Sequence, residues 1–202
     1  MKKNIKKIIA GAFVSFFALQ TILVSPASAA TDMIKCVVQS EAGTGYEFYY
    51  NDTWLLAMSR NETDTILTKG YDLSNYASTL NQITGTKHWN FRIDSRYDHM
   101  ELYSVKMIDN QGNIIKKTDF PSGYVDIGDG YSYSVDFTTN IPRYDLDYDG
   151  AVTTYDAQLA LNFSIKLASP SNLQTLLGDS NSNGTIDSAD AQYILKVALG
   201  II

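Results

Sequence analysis

Cysteine is nearly missing from this chain: Cys36 is the single one in 202 residues, so no disulfide can form within it. A small protein built this way is held by its core and by any metal it binds, not by covalent staples. Histidine is as scarce. His88 and His99 stand apart with no HExxH spacing, and no G-x-S-x-G elbow marks a serine nucleophile. Residues 31–140 hold only four glutamates, Glu41, Glu47, Glu62 and Glu101, and no pair stands out as the two carboxylates of glycoside hydrolysis. Basic residues are outnumbered, 16 against 22 acidic, for a formal charge of −6. That balance argues against nucleic acid or an anionic membrane surface as a partner. After the N-terminal stretch, no apolar run approaches the roughly 20 residues that a membrane-spanning helix needs.

The N-terminus itself is distinctive. "MKKNIKK" carries four lysines, "IIAGAFVSFFALQTILV" is apolar, and "SPASAA" offers a helix breaker and small residues. This order is that of a secretory signal peptide, residues 1–29, cut after Ala29 or Ala30. Its removal takes away four lysines and no acid, which moves the formal charge from −6 to −10. The expected location is secreted, either extracellular or in a cell-surface complex.

Residues 31–140 read with period two. Ile34, Cys36 and Val38 alternate with Lys35, Val37 and Gln39; Tyr46, Phe48 and Tyr50 follow. Trp89, Phe91 and Ile93 alternate with Asn90, Arg92 and Asp94, and Tyr133, Val135 and Phe137 with Ser134 and Asp136. Short strands punctuated by turns such as "DNQGN", 109–113, predict an all-β antiparallel sandwich. The run "WLLAM", 54–58, reads as a buried strand, which puts Trp54 in the core along with Trp89. Tyr49 is out of phase with the buried set, and Tyr71, Tyr76 and Tyr97 fall in turn-like segments. These four tyrosines are the candidate carbohydrate contacts, since an aromatic face can stack on a sugar ring.

A different pattern begins at residue 143. In "DLDYDGAVTTYD", 145–156, aspartates occupy positions 1, 3, 5 and 12 of a twelve-residue frame, with Gly150 at position 6. A hard cation such as Ca²⁺ takes six to eight oxygens, and this spacing supplies them with a glycine where the chain must turn sharply. The predicted ligands are Asp145, Asp147, Asp149, the Ala151 carbonyl and Asp156, an aspartate where such loops usually carry a longer glutamate. "DSNSNGTIDSAD", 179–190, repeats the frame 34 residues later with Asp179, Asn181, Asn183, the Thr185 carbonyl and Asp190. Two ions are expected, the first loop binding more tightly because it carries more charge. Both loops lead into helical patterns, 154–168 and 188–199, while Pro142 and the β-branched residues before it oppose a helix entering the first loop.

A duplicated loop-helix unit of this kind resembles a dockerin, the module that plugs proteins into cohesins of cellulosome-type assemblies. The resemblance covers residues 143–202. It implies a fold class of two parts: a multidomain chain with an all-β sandwich, residues 31–140, followed by a small all-α calcium-binding module. As an independent module, 143–202 would unfold alone on chelation while the sandwich survived. The resemblance further implies cohesin contacts at Thr154, Tyr155, Leu159, Asn162, Phe163 and Lys166, and in the second copy at Ser188, Ala189, Tyr193 and Lys196. The basic pair that familiar dockerins carry on the helix is absent, so the cohesin class is left open.

The function expected from these readings is that of a secreted non-catalytic subunit of a polysaccharide-degrading complex, docked to a cohesin on a scaffoldin, its β part binding carbohydrate. Two alternatives stay open: a small polysaccharide-active enzyme, and a protein-binding adaptor or protease inhibitor using loops such as 59–64 and 95–100.

Overall fold

The computed structural model describes residues 33–42, 45–59, 67–95, 99–128 and 130–202. The expected signal peptide, Tyr97 and most of the two loops named for protein binding lie outside the described residues.

Alternation of side chains builds two antiparallel sheets. The first contains β1 (Ile34–Ala42), β4 (Leu67–Asp72), β6 (Met100–Asp109), β7 (Ile114–Lys117) and β8 (Val125–Ile127), in the order β4-β1-β6-β7 with β8 also paired to β6. The second contains β2 (Gly45–Tyr50), β3 (Thr53–Ser59), β5 (Gly85–Ser95) and β9 (Ser132–Ile141), in the order β3-β2-β5-β9. Ile34, Cys36, Val38 and Met107 from one sheet share a buried core with Phe48, Phe91, Ile93 and Phe137 from the other. The Phe48 and Tyr71 rings, one from each sheet, stack with centroids 4.0 Å apart, and the Tyr71 hydroxyl donates to that of Tyr46. Period-two alternation with one face apolar makes this arrangement the natural one for burying both inner faces.

Turn chemistry sets the register. Asn51 and Asp52 both take positive φ, 46° and 59°, as a two-residue hairpin requires. That turn pairs Tyr50 with Thr53 and Tyr49 with Trp54. At the β6–β7 turn the Asp109 carboxylate, 1% exposed, accepts the backbone N–H groups of Gln111 and Asn113.

The helices correct the expected fold class. Among the described residues there are four: α1 (Leu80–Ile83), α2 (Thr154–Ser164), α3 (Asn172–Gly178) and α4 (Ser188–Ala198). The molecule is mostly β, and the helices after residue 143 do not form a separate all-α module. Leu146, Leu173, Leu177 and Ile194 belong to the same buried cluster as Ile34, Phe137 and Ile141 of the sheets. β9 runs to Ile141, so sheet and first loop are only three residues apart. Polar contacts cross the same boundary. The Tyr148 hydroxyl donates to Asp109 Oδ2 at 2.9 Å, Asn172 N–H to Asn110 Oδ1 at 2.8 Å, and Gln111 Nε2 to the Pro170 carbonyl at 3.0 Å. A segment of about 60 residues buries too little apolar surface alone, so these leucines complete their burial in the common core.

Pattern reading also passed over α3. Its signal is a capping box immediately after Pro170: Ser171 accepts Gln174 N–H at 3.0 Å, and the Gln174 side chain accepts Ser171 N–H at 2.9 Å. Among the described residues no helix is long and apolar enough to cross a membrane.

Candidate functional site

The two loops share one hydrogen-bond frame, position by position, and differ at one oxygen: Asp179 Oδ1 accepts Asn183 N–H at 3.1 Å, while Asp145 Oδ1 has no partner. At position 1, Asp145 Oδ2 accepts Gly150 N–H at 2.9 Å and Asp179 Oδ2 accepts Gly184 N–H at 2.6 Å. At position 3, Asp147 and Asn181 each accept the N–H of position 5, at 3.2 and 3.0 Å. At position 5, Asp149 and Asn183 accept the N–H of position 7, at 2.8 and 2.9 Å. At position 12, Asp156 and Asp190 each use one oxygen for the N–H of position 2 and the other for that of position 9. Position 4 is left-handed in both copies, Tyr148 at φ 64° and Ser182 at 62°, as is position 6, Gly150 at 95° and Gly184 at 88°. The glycines serve a purpose here, because a side chain at position 6 would be strained.

Each loop ends by starting a helix. Thr153 caps α2 and Asp187 caps α4, and in both the position-12 aspartate is the N3 partner of the capping box. The short aspartate at position 12 therefore closes its loop and holds the first turn of its helix together. Beyond the helices the repetition continues: Lys166 and Gly200, 34 residues apart, both take positive φ where the helix stops. Arg143 joins the two loops by donating from its guanidinium to the Asp179 carbonyl at 3.0 Å.

Whether these residues suit a cation is decided by the first loop's electrostatics. Carboxylate oxygens of Asp145, Asp147 and Asp149 lie within 4.8 Å of one another. Asp145 is fully buried, and its Oδ1 has no hydrogen-bond partner. Burial pushes the Asp145 carboxyl up to about 7; the Gly150 N–H bond lowers it, and repulsion from Asp156 and Asp147 raises it further. Asp147 is also raised, chiefly by burial. A buried, unpaired carboxylate oxygen beside two more carboxylates is costly unless a cation neutralises the group. All the donors are oxygens, which suits a hard divalent ion such as Ca²⁺ better than zinc or copper. The first loop thus fits the ion; Asp145, Asp147, Asp149 and Asp156 with the Ala151 carbonyl would hold it. The second loop shares the backbone frame with fewer charges: Asp179, Asn181, Asn183, Asp190 and the Thr185 carbonyl.

The helical residues expected to meet a cohesin divide into two sets. Thr154, Tyr155, Lys166, Ser188, Ala189, Tyr193 and Lys196 are exposed, whereas Leu159 and Asn162 are half-buried. Phe163 is only 7% exposed and sits in the core. The exposed apolar stripe is the other one: Leu161, Ile165, Leu195 and Leu199. Between α2 and α4 runs an apolar groove lined by matched pairs, Thr154 with Ser188, Ala157 with Ala191, Gln158 with Gln192, and Leu161 with Leu195. The duplication therefore produces a pseudo-twofold surface.

The tyrosines named as carbohydrate contacts are not brought together. Tyr71 is buried against Phe48, Tyr76 packs edge-on against Tyr50, and Tyr97 is outside the described residues. Tyr49 points outward as its phase predicts. Trp89 is in the core, its indole N–H donating to Thr139 Oγ1 at 3.0 Å. Trp54 is not: it is 52% exposed. The Asn51-Asp52 turn held the signal, because a two-residue hairpin puts Trp54 opposite the outward Tyr49. Sequence spacing also concealed a carboxylate pair, since Glu41 and Glu101 are opposite each other in the β1–β6 register and both lie within hydrogen-bond reach of the Tyr103 hydroxyl, at 3.1 and 2.6 Å.

No family model, curated protein or solved structure matches this chain.

Proposed function

We propose that this chain is an exported, non-catalytic subunit of a cellulosome-type polysaccharide-degrading complex, held to a cohesin on a scaffoldin by residues 143–202. Calcium in the two loops, 145–156 and 179–190, fixes the first turns of α2 and α4, and the β sandwich carries the carbohydrate-binding role. One observation carries this reading: two oxygen-donor loops that share one hydrogen-bond frame, each starting a helix, with the two helices presenting a matched apolar groove. Exposed apolar surface on that scale marks an interaction site. The test is capture of the whole secreted chain on a panel of immobilised cohesins, in calcium and in EDTA. Binding to at least one cohesin in calcium, lost in EDTA and lost in Leu161→Asp with Leu195→Asp, is expected. No capture by any cohesin, or equal capture in EDTA, overturns the reading.

A second reading is favoured by the Glu41–Glu101 pair. Two carboxylates paired across strands, with a tyrosine hydroxyl between them, supply the residue types glycoside hydrolysis needs, which would make the β part an enzyme. Release of reducing sugar from a soluble polysaccharide, abolished in Glu101→Gln, would establish it.

A further inference from the structure

The outward face of the second sheet carries a row of side chains that the core does not use. Trp54 on β3 stands opposite Tyr49 on β2, and Tyr49 stands opposite Arg92 on β5. Adjacent strands are about 4.8 Å apart, so the row crosses roughly 10 Å of a hydrogen-bonded sheet face. Two of its members, Tyr49 and Arg92, are already fixed. The Arg92 guanidinium lies over the Tyr49 ring, 4.0 Å from its centroid. It also bonds Asp94 Oδ1 at 3.0 Å and Asp52 Oδ1 at 2.8 Å. The Tyr49 hydroxyl donates to Glu47 Oε2 at 2.7 Å. Side chains held this way lose little rotamer freedom on binding.

From this geometry we propose that the outer face of the second sheet is a binding platform for a neutral polysaccharide, with Trp54 stacking on a sugar ring beside the Tyr49–Arg92 pair. Arg92, Glu47 and Asp94 exchange hydrogen bonds with the hydroxyls. The proposal rests on the carbohydrate-binding reading above and gives it a location. Three observations select this occupant. Sugar hydroxyls are donors and acceptors at once, and the patch offers a fixed donor fork beside carboxylate acceptors. Three acids against one base make the patch negative, which repels polyanionic glycans and nucleic acid. The neighbouring outward positions on β9 are Ser132, Ser134 and Asp136, all exposed. A protein-binding patch would instead surround its aromatic anchors with apolar surface.

The test is native affinity electrophoresis of the full secreted chain through gels containing neutral soluble glycans: a β-glucan, a xyloglucan, a galactomannan and starch. Retardation in at least one gel is expected, with Trp54→Ala binding about tenfold or more weakly, as loss of a stacked ring predicts. Tyr131→Ala, at a tyrosine 70% exposed outside the row, should migrate as wild type. Trp54 is half exposed, so its truncation should leave melting unchanged. A second readout needs no mutation. Trp89 is 3% exposed, so acrylamide quenching of the fluorescence reports Trp54, and the retarding glycan should protect it. Retardation undiminished in Trp54→Ala, or quenching indifferent to the glycan, overturns this site while leaving carbohydrate binding standing. Free migration of wild type through every gel overturns both.

Discussion

Chelation should destabilise the whole molecule in one step, not its C-terminal third alone. The structural reason is the joint at Tyr148. This residue is position 4 of the first loop, between Asp147 and Asp149, and its hydroxyl reaches Asp109 Oδ2 at the β6–β7 turn, 2.9 Å away. Leu146, position 2 of the same loop, is fully buried in the cluster it shares with both sheets. A loop that loosens must therefore disturb the sandwich. At calcium 100-fold above Kd each site adds about 2.7 kcal/mol, so two sites add about 5 kcal/mol. For a chain of this size that is roughly 10–20 °C of melting temperature. Tyr148→Phe isolates the joint. Asp109 keeps its bonds from Gln111, Asn113 N–H and Asn113 Nδ2, so it is not left unpaired. The loss is then at the low end for a bond to a charged group, about 1.5 kcal/mol, or roughly 3–6 °C. The assay is circular dichroism followed in two windows: the near-ultraviolet band of buried Trp89 for the sandwich, and the far-ultraviolet helix band for α2–α4. Both should melt together and shift together on adding EDTA. A Trp89 signal that ignores EDTA while the helix signal is lost would refute the argument.

Proton competition gives a second prediction. In the metal-free protein the Asp145 carboxyl is raised from 3.8 to about 7. The folded state thus holds this proton more tightly than the unfolded one; the stability it contributes is full below the unfolded value and is lost as pH rises through about 7. Melting in EDTA should fall between about pH 4 and pH 7, and calcium affinity should rise over the same interval. Gly150→Ala puts a Cβ at φ 95°, 3.4 Å from the Asn140 carbonyl, and should cost about 1–2 kcal/mol while weakening the first site; urea melts with and without calcium measure both. Leu161→Ser, at a residue 46% exposed, should change stability by less than about 0.5 kcal/mol yet reduce cohesin capture severalfold.

Legibility followed the strength of local rules. Ile34, Cys36, Val38, Phe48, Phe91 and Phe137 could be placed in the core because alternation leaves a strand only two faces. The repeated loop frame was readable because its turns and its cap fix both residue type and spacing. Trp54 was misplaced for the same kind of reason: "WLLAM" resembles a buried run, and only the two-residue turn before it fixes which face the indole takes. The expectation of a separate all-α module failed because no composition signal reports that Leu146 and Leu173 are buried with residues more than a hundred positions earlier. Tyr148 was equally opaque, as its φ of 64° and its reach to Asp109 depend on how the loop meets the sheet. The Glu41–Glu101 pair was hidden because it depends on the β1–β6 register.

Native mass spectrometry of the full chain across a calcium titration tests the central claim most directly. Two ions per wild-type chain are predicted, the first bound more tightly, and one ion in Asp145→Ala. A wild-type chain that binds no calcium at millimolar concentration, or that binds two ions unchanged in Asp145→Ala, would contradict it.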